Sequence, residues 1–249
     1  MLTFSSIKNR VIEHPIKKSN LITITTCLLL LSACGSDNNS VVEPPPPPPE
    51  PAEYSYSVTV TNLTYAQPLS PVAIVLHNDS KMWMTGEASS QALEKLAESG
   101  DNSDFISDSN ALASNSGDGV VMPGLASTIE VSTTDRNATF FTAATMLVNT
   151  NDAFTGLTGV DISTMAIDDV KSWNLNVYDS GTEANSEAMG TIPGPADGGI
   201  GFDETRNDVD FVALHSGVVS QDDGLSSSIL TQAHRFDNPA IKLSITRTK

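Results

Sequence analysis

The chain has 249 residues, with 30 Asp and Glu against 13 Lys and Arg and a formal net charge of −17. That balance argues against a nucleic-acid binder, which needs a basic footprint to meet phosphate, and against docking of the folded surface on anionic lipid. The two cysteines, Cys27 and Cys34, both fall in the first 34 residues, so the remainder can form neither a disulfide nor a thiolate metal site.

Lys8, Arg10, Lys17 and Lys18 make a basic leader against the single acid Glu13. The run Leu21–Leu31 that follows is apolar but short and Thr-rich. A membrane span needs about 20 apolar residues, so this run reads as the core of a signal peptide covering 1–33. It ends Leu31-Ser32-Ala33-Cys34-Gly35, which resembles the bacterial lipobox, where a small residue precedes a cysteine that is lipidated and becomes the new N-terminus. The expectation is a lipid anchor at Cys34. The residues after it lack an immediate Asp, which resembles an outer-membrane address, with the domain facing periplasm or cell surface. Loss of 1–33 would leave the mature chain more acidic still. Residues 34–53 read as a tether, because Pro44 to Pro49 is an unbroken proline run that favours a stiff polyproline II rod.

The remaining span, 54–249, is long enough for one domain with a proper core. Tyr54, Tyr56, Val58 and Val60 alternate with Ser and Thr, as in a half-buried strand. Val72–Leu76 reads as a second strand. Glu87–Glu98 carries an apolar stripe of Leu93, Leu96 and Ala97 with Gly100 as a stop, and so predicts a helix. Strands follow at Ile129–Ser132, Phe140–Val148, Trp173–Val177, Val209–Leu214 and Ile241–Thr246. Phe140, Phe141, Phe154, Trp173 and Phe211 read as core. A weaker turn or helix is expected near Thr164–Val170. Ser99–Gly119, Asn149–Asp161 and Asp179–Asp208 read as loops. Many short strands separated by Gly, Asn and Asp turns predict an all-β antiparallel sandwich with one or two short helices in crossovers.

Several blocks, in order and spacing, resemble the bacterial form of the spondin N-terminal domain. They are Tyr56-Ser-Val-Thr-Val-Thr-Asn-Leu-Thr64, Pro71-Val-Ala-Ile-Val-Leu-His-Asn78, Gly86-Glu-Ala-Ser with Leu93–Gly100, and Met146–Leu157. Trp173, Val177-Tyr-Asp-Ser-Gly-Thr-Glu183 and His234-Arg-Phe-Asp-Asn-Pro-Ala240 complete the set. The resemblance implies a C2-like β-sandwich with calcium at one loop end, and carboxylate ligands Asp152, Asp179 and Glu183. The residues are compatible with that. Calcium takes six to eight hard oxygens, and Gly181 between Asp179 and Glu183 permits a turn that aims both acids inward. Glu183 departs from the family, whose animal members have Asp there and also carry cysteines that are missing here.

No Gly-x-Ser-x-Gly elbow, His-Glu-x-x-His or Cys-x-x-Cys is present. Gly198-Gly-Ile-Gly201 lacks the following Lys of a phosphate-binding loop, so no nucleotide is expected. Asp203, Glu204, Asp208 and Asp210 form a further acidic cluster, read mainly as a solvated face. His77 and His234 read as structural. The expected role is therefore a non-enzymatic adhesion-type module for a surface protein or glycan. The alternatives are an extracytoplasmic hydrolase using the acids with His77 and His215, or a purely structural envelope protein.

Overall fold

The computed structural model describes residues 48–78 and 81–249. The leader 1–33, Cys34 and most of the tether 34–53 lie outside the described residues.

Strand β1 (Tyr54–Asn62) buries Tyr56, Val58 and Val60 and turns its Ser and Thr residues outward. It pairs antiparallel with β4 (Ala126–Thr133) on one side and β10 (Ile241–Arg247) on the other. Beyond β10 lies β7 (Val170–Leu175), which completes a four-stranded sheet ordered β4-β1-β10-β7. A second, six-stranded antiparallel sheet runs β3 (Ala111–Ser116), β2 (Ala73–His77), β5 (Phe140–Met146), β6 (Ala153–Asp161), β8 (Val177–Asp179) and β9 (Ala213–Leu214). Their facing sides enclose the main core, with Val58, Val60, Leu243 and Ile245 from one sheet against Ile74, Leu76, Phe141 and Val177 from the other. The fold is thus the all-β sandwich that the strand pattern predicts.

The outer face of the six-stranded sheet is covered by helices α1 (Gln91–Ser99) and α2 (Ser103–Ile106), which sit in the crossover from β2 to β3. Leu93, Leu96, Ala97 and Phe105 pack there against Ala73, Val75, Ala144 and Phe154. Burying each leucine contributes about 2 kcal/mol. Strand β2 is therefore buried on both faces, which explains why Val72–Leu76 is uninterruptedly apolar rather than alternating.

Several boundaries differ from the sequence expectation. The helix starts at Gln91, not Glu87, because Ser90 takes the Leu93 N–H on its side chain at 3.2 Å and caps it. The expected loop Ser99–Gly119 contains α2 and the edge strand β3, whose Ser and Asn residues are part-exposed. Most of the expected loop Asn149–Asp161 is strand β6, central in its sheet. Gly156 within it is required by close approach, since a Cβ there would lie 2.0 Å from the Ala143 carbonyl oxygen. The stretch Trp173–Val177 divides at Asn176 between β7 and β8, and Val209–Leu214 shrinks to the two residues of β9. Phe211 is 42 % exposed and is not core. The third loop, 180–208, does lack strands of its own.

The registers define two ends of the sandwich. At one lie Tyr54, the end of β10 at Arg247, and the outer ends of β5 and β6. At the other, β5 finishes, β6 begins and β8 ends.

Candidate functional site

Asp152 stands immediately before β6, and Asp179 closes β8. The pairing Ala153↔Asp179 brings Asp152 against the turn that follows β8. The Ser180 N–H donates to the Asp152 carbonyl at 3.3 Å. Asp152 Oδ2 accepts the Ser180 hydroxyl at 2.7 Å and the backbone N–H groups of Thr182 and Glu183 at 3.0 and 3.1 Å. The other oxygen, Oδ1, is buried with no hydrogen-bond partner among the described residues. Burial first, and then the negative charge of Asp179, push the Asp152 carboxyl up to about 7.

Asp179 is also buried. Its Oδ1 accepts the Gly181 N–H at 2.7 Å, closing the turn that Gly181 makes possible at φ +75°. A side chain at Gly181 would also strike the Phe211 carbonyl oxygen at 2.3 Å. Asp179 Oδ2 accepts Asn185 Nδ2 at 2.5 Å, and Asn185 Oδ1 lies 3.0 Å from His215 Nε2. Because the Gly217 N–H donates to His215 Nδ1 at 2.9 Å, the proton of the neutral ring sits on Nε2 and points at Asn185. The chain Asp179–Asn185–His215 is thus ordered end to end. Burial pushes the His215 pKa down, partly opposed by Asp179.

Glu183, whose N–H donates to Asp152, is half-buried. Its Oε1 accepts Asn151 Nδ2 at 3.1 Å. Burial raises its carboxyl to about 7 against the Asn151 hydrogen bond, helped by the charges of Glu98, Asp152 and Asp203. Glu98, buried on α1, accepts the Asp203 N–H at 3.0 Å and is itself raised by burial.

Asp152 is therefore in contact with the turn that carries the other two acids. All are oxygen donors, and Asp152 keeps one oxygen unspent. As they stand, however, no group of three His, Cys, Asp or Glu side chains among the described residues is close enough to hold a metal ion. The other acidic cluster is dispersed. Asp210 pairs with Arg206 at 2.6 Å, while Asp203 Oδ1 accepts the Thr205 N–H.

His77 is fully buried in β2, with Nε2 2.8 Å from the Thr142 hydroxyl. His234 ends a 3-10 turn, Gln232–His234, and accepts the Thr231 N–H on Nδ1 at 3.0 Å. Sequence reasoning missed Asn151, Asn185 and the role of His215. Asn151 adjoins Asp152 and could have been weighed with it. Asn185 and His215 meet across a long loop segment and leave no local signature. No family model matches the chain, and no curated protein matches it.

Proposed function

We propose that the protein is a cell-envelope lipoprotein, anchored through Cys34, whose β-sandwich is a calcium-dependent binding module of the spondin N-terminal kind. The observation that carries this reading is the buried, unpartnered Asp152 Oδ1 next to the buried carboxylate of Asp179. Two like-charged groups held together out of water are unfavourable unless a proton or a cation offsets them. Their donors are hard oxygens, which suit calcium and not a thiolate-seeking metal. Asp152, Asp179 and Glu183 would hold the ion, with backbone carbonyls and water completing its shell.

Calcium in that role supplies charge neutralisation and ties the turn 179–183 to the start of β6. The surface so stiffened would contact a protein or glycan on or near the envelope. His215 supports a positioning role, since both ring nitrogens are engaged by Asn185 and Gly217.

The test is a calcium titration of the protein followed by thermal melting. Ligand binding to the folded state alone raises stability by about 2.7 kcal/mol at one hundred times Kd. The expected result is a melting temperature that climbs over micromolar to millimolar calcium and a gain largely abolished in Asp179→Asn. A melt that does not move across millimolar calcium overturns the reading.

A further inference from the structure

At the sandwich end away from the acids, β1 opens with Tyr54 and Tyr56, two residues apart and so on one face of the strand. Tyr56 is only 3 % exposed. Tyr56 lines a cavity of about 130 Å³, and its hydroxyl makes no hydrogen bond among the described residues. The ring is packed away while the hydroxyl tip stays reachable, as is common for tyrosine. Burial pushes the Tyr56 pKa up, so the group keeps its proton and is a donor.

Two cations border the same cavity. Arg247, near the end of β10, donates Nε to the Lys249 carbonyl at 2.9 Å and Nη1 to the Met165 carbonyl at 2.5 Å. It also lies over the Tyr54 ring at 5.1 Å. Those contacts fix the guanidinium plane and leave Nη2 unspent, since arginine has five N–H donors in a rigid fork. Arg136, in the turn between β4 and β5, also lines the cavity. It makes no side-chain hydrogen bond or ion pair among the described residues. Ser163 adds a hydroxyl at the rim. One acid, Asp135, also lines the cavity, with its Oδ1 occupied by the Asn137 N–H at 2.8 Å. In a chain of net charge −17, two arginines lining one small cavity is the reverse of the overall charge pattern.

We propose that this cavity is a binding site for a compact oxyanion of the phosphate class, held by Arg136, the free edge of Arg247 and the Tyr56 hydroxyl. Guanidinium groups match phosphate oxygens in shape and charge, and a neutral hydroxyl donor completes the contact. The volume suits a single phosphate group rather than a large ligand.

The probe is inorganic phosphate, titrated into the protein in calcium-free buffer at constant ionic strength and followed by calorimetry and by NMR shifts. Saturable binding with Kd on the order of 1 mM is expected. Arg136→Gln and Tyr56→Phe should each weaken it about fivefold or more. Both substitutions leave the fold intact, because Arg136 is exposed and unpaired among the described residues and phenylalanine keeps the Tyr56 ring; unchanged melting checks that. Vesicles of phosphatidylcholine with phosphatidate separate the two sources of such a group. Vesicle binding that inorganic phosphate competes away assigns the site to lipid headgroups. Phosphate binding without vesicle binding assigns it to a free anion. An absence of saturation by about 50 mM phosphate, or binding that both folded variants retain in full, overturns the proposal.

Discussion

Asp152 Oδ2 takes the Ser180 hydroxyl at 2.7 Å while Oδ1 of the same carboxylate is buried without a partner among the described residues. One oxygen thus organises the turn after β8, and the other is left over from that task.

The two functions of Asp152 should separate by substitution. Asp152→Asn keeps an oxygen for the Thr182 and Glu183 N–H groups and removes the charge beside Asp179. In calcium-free buffer near pH 8 it should melt at or a few degrees above the wild type, while losing most of the calcium response. Asp152→Ala also removes the acceptor and should cost about 2–3 kcal/mol in a denaturant titration. An Asp152→Asn protein that responds to calcium like the wild type would count against Asp152 as a ligand.

The pH dependence follows from the same group. Asp152 and Glu183 are raised from ordinary values of 3.8 and 4.5 to about 7. The folded state therefore holds their protons longer than the unfolded state, and their contribution to stability is full below about pH 4 and lost as pH rises through 7. His215, pushed down from 6.5, acts in the opposite sense and loses its contribution as pH falls. Comparing wild type with Asp152→Asn isolates the first effect. Without calcium, their melting temperatures should nearly coincide below about pH 4 and diverge progressively up to pH 8 in favour of the variant.

Arg206 ties the loop after β8 to α1. It donates Nη2 to Glu94 Oε2 at 2.7 Å and to the Ser89 carbonyl at 2.8 Å, and Nη1 to Asp210 at 2.6 Å. Glu94 is only 3 % exposed. Arg206→Gln strands a buried carboxylate and should cost about 3 kcal/mol, with faster amide exchange across 203–212. Adding Glu94→Gln should recover a large part of that loss.

Gly156 tests the sheet itself. A methyl group there meets the Ala143 carbonyl oxygen at 2.0 Å, within the β5–β6 pair. Backbone cannot yield as a flexible side chain does, so Gly156→Ala should cost about 3 kcal/mol, seen as a lowered denaturant midpoint.

Alternation in β1 and β10 and the apolar run of β2 were readable because their side-chain pattern reflects which faces are buried. Strand β6 was not, because Gly156 and Gly159 interrupt its pattern and Asn151-Asp152 precede it like a turn. Strand β3 was hidden by its Ser and Asn residues, which an exposed edge tolerates. Phe211 misled because an aromatic residue carries no sign of its environment. At the candidate site, Asp152, Asp179 and Glu183 were singled out through their blocks of sequence. The contacts that hold them were not, because Asn185 and His215, like Arg136 and Arg247, are brought together only by tertiary packing.

The two ends of the folded chain lie side by side. Ser55 and Lys249 exchange backbone hydrogen bonds, Lys249 pairs with Glu53, and Tyr56 faces Arg247 across antiparallel strands. A mechanical load applied between those ends would peel β1 from β10 like a zip, breaking one rung at a time and yielding at low force. A load applied between residue 53 and the tip around Asp152 would run along the strands and strain many rungs together. The sandwich should thus yield more readily to a load between residues 53 and 249 than to one between residue 53 and its far end.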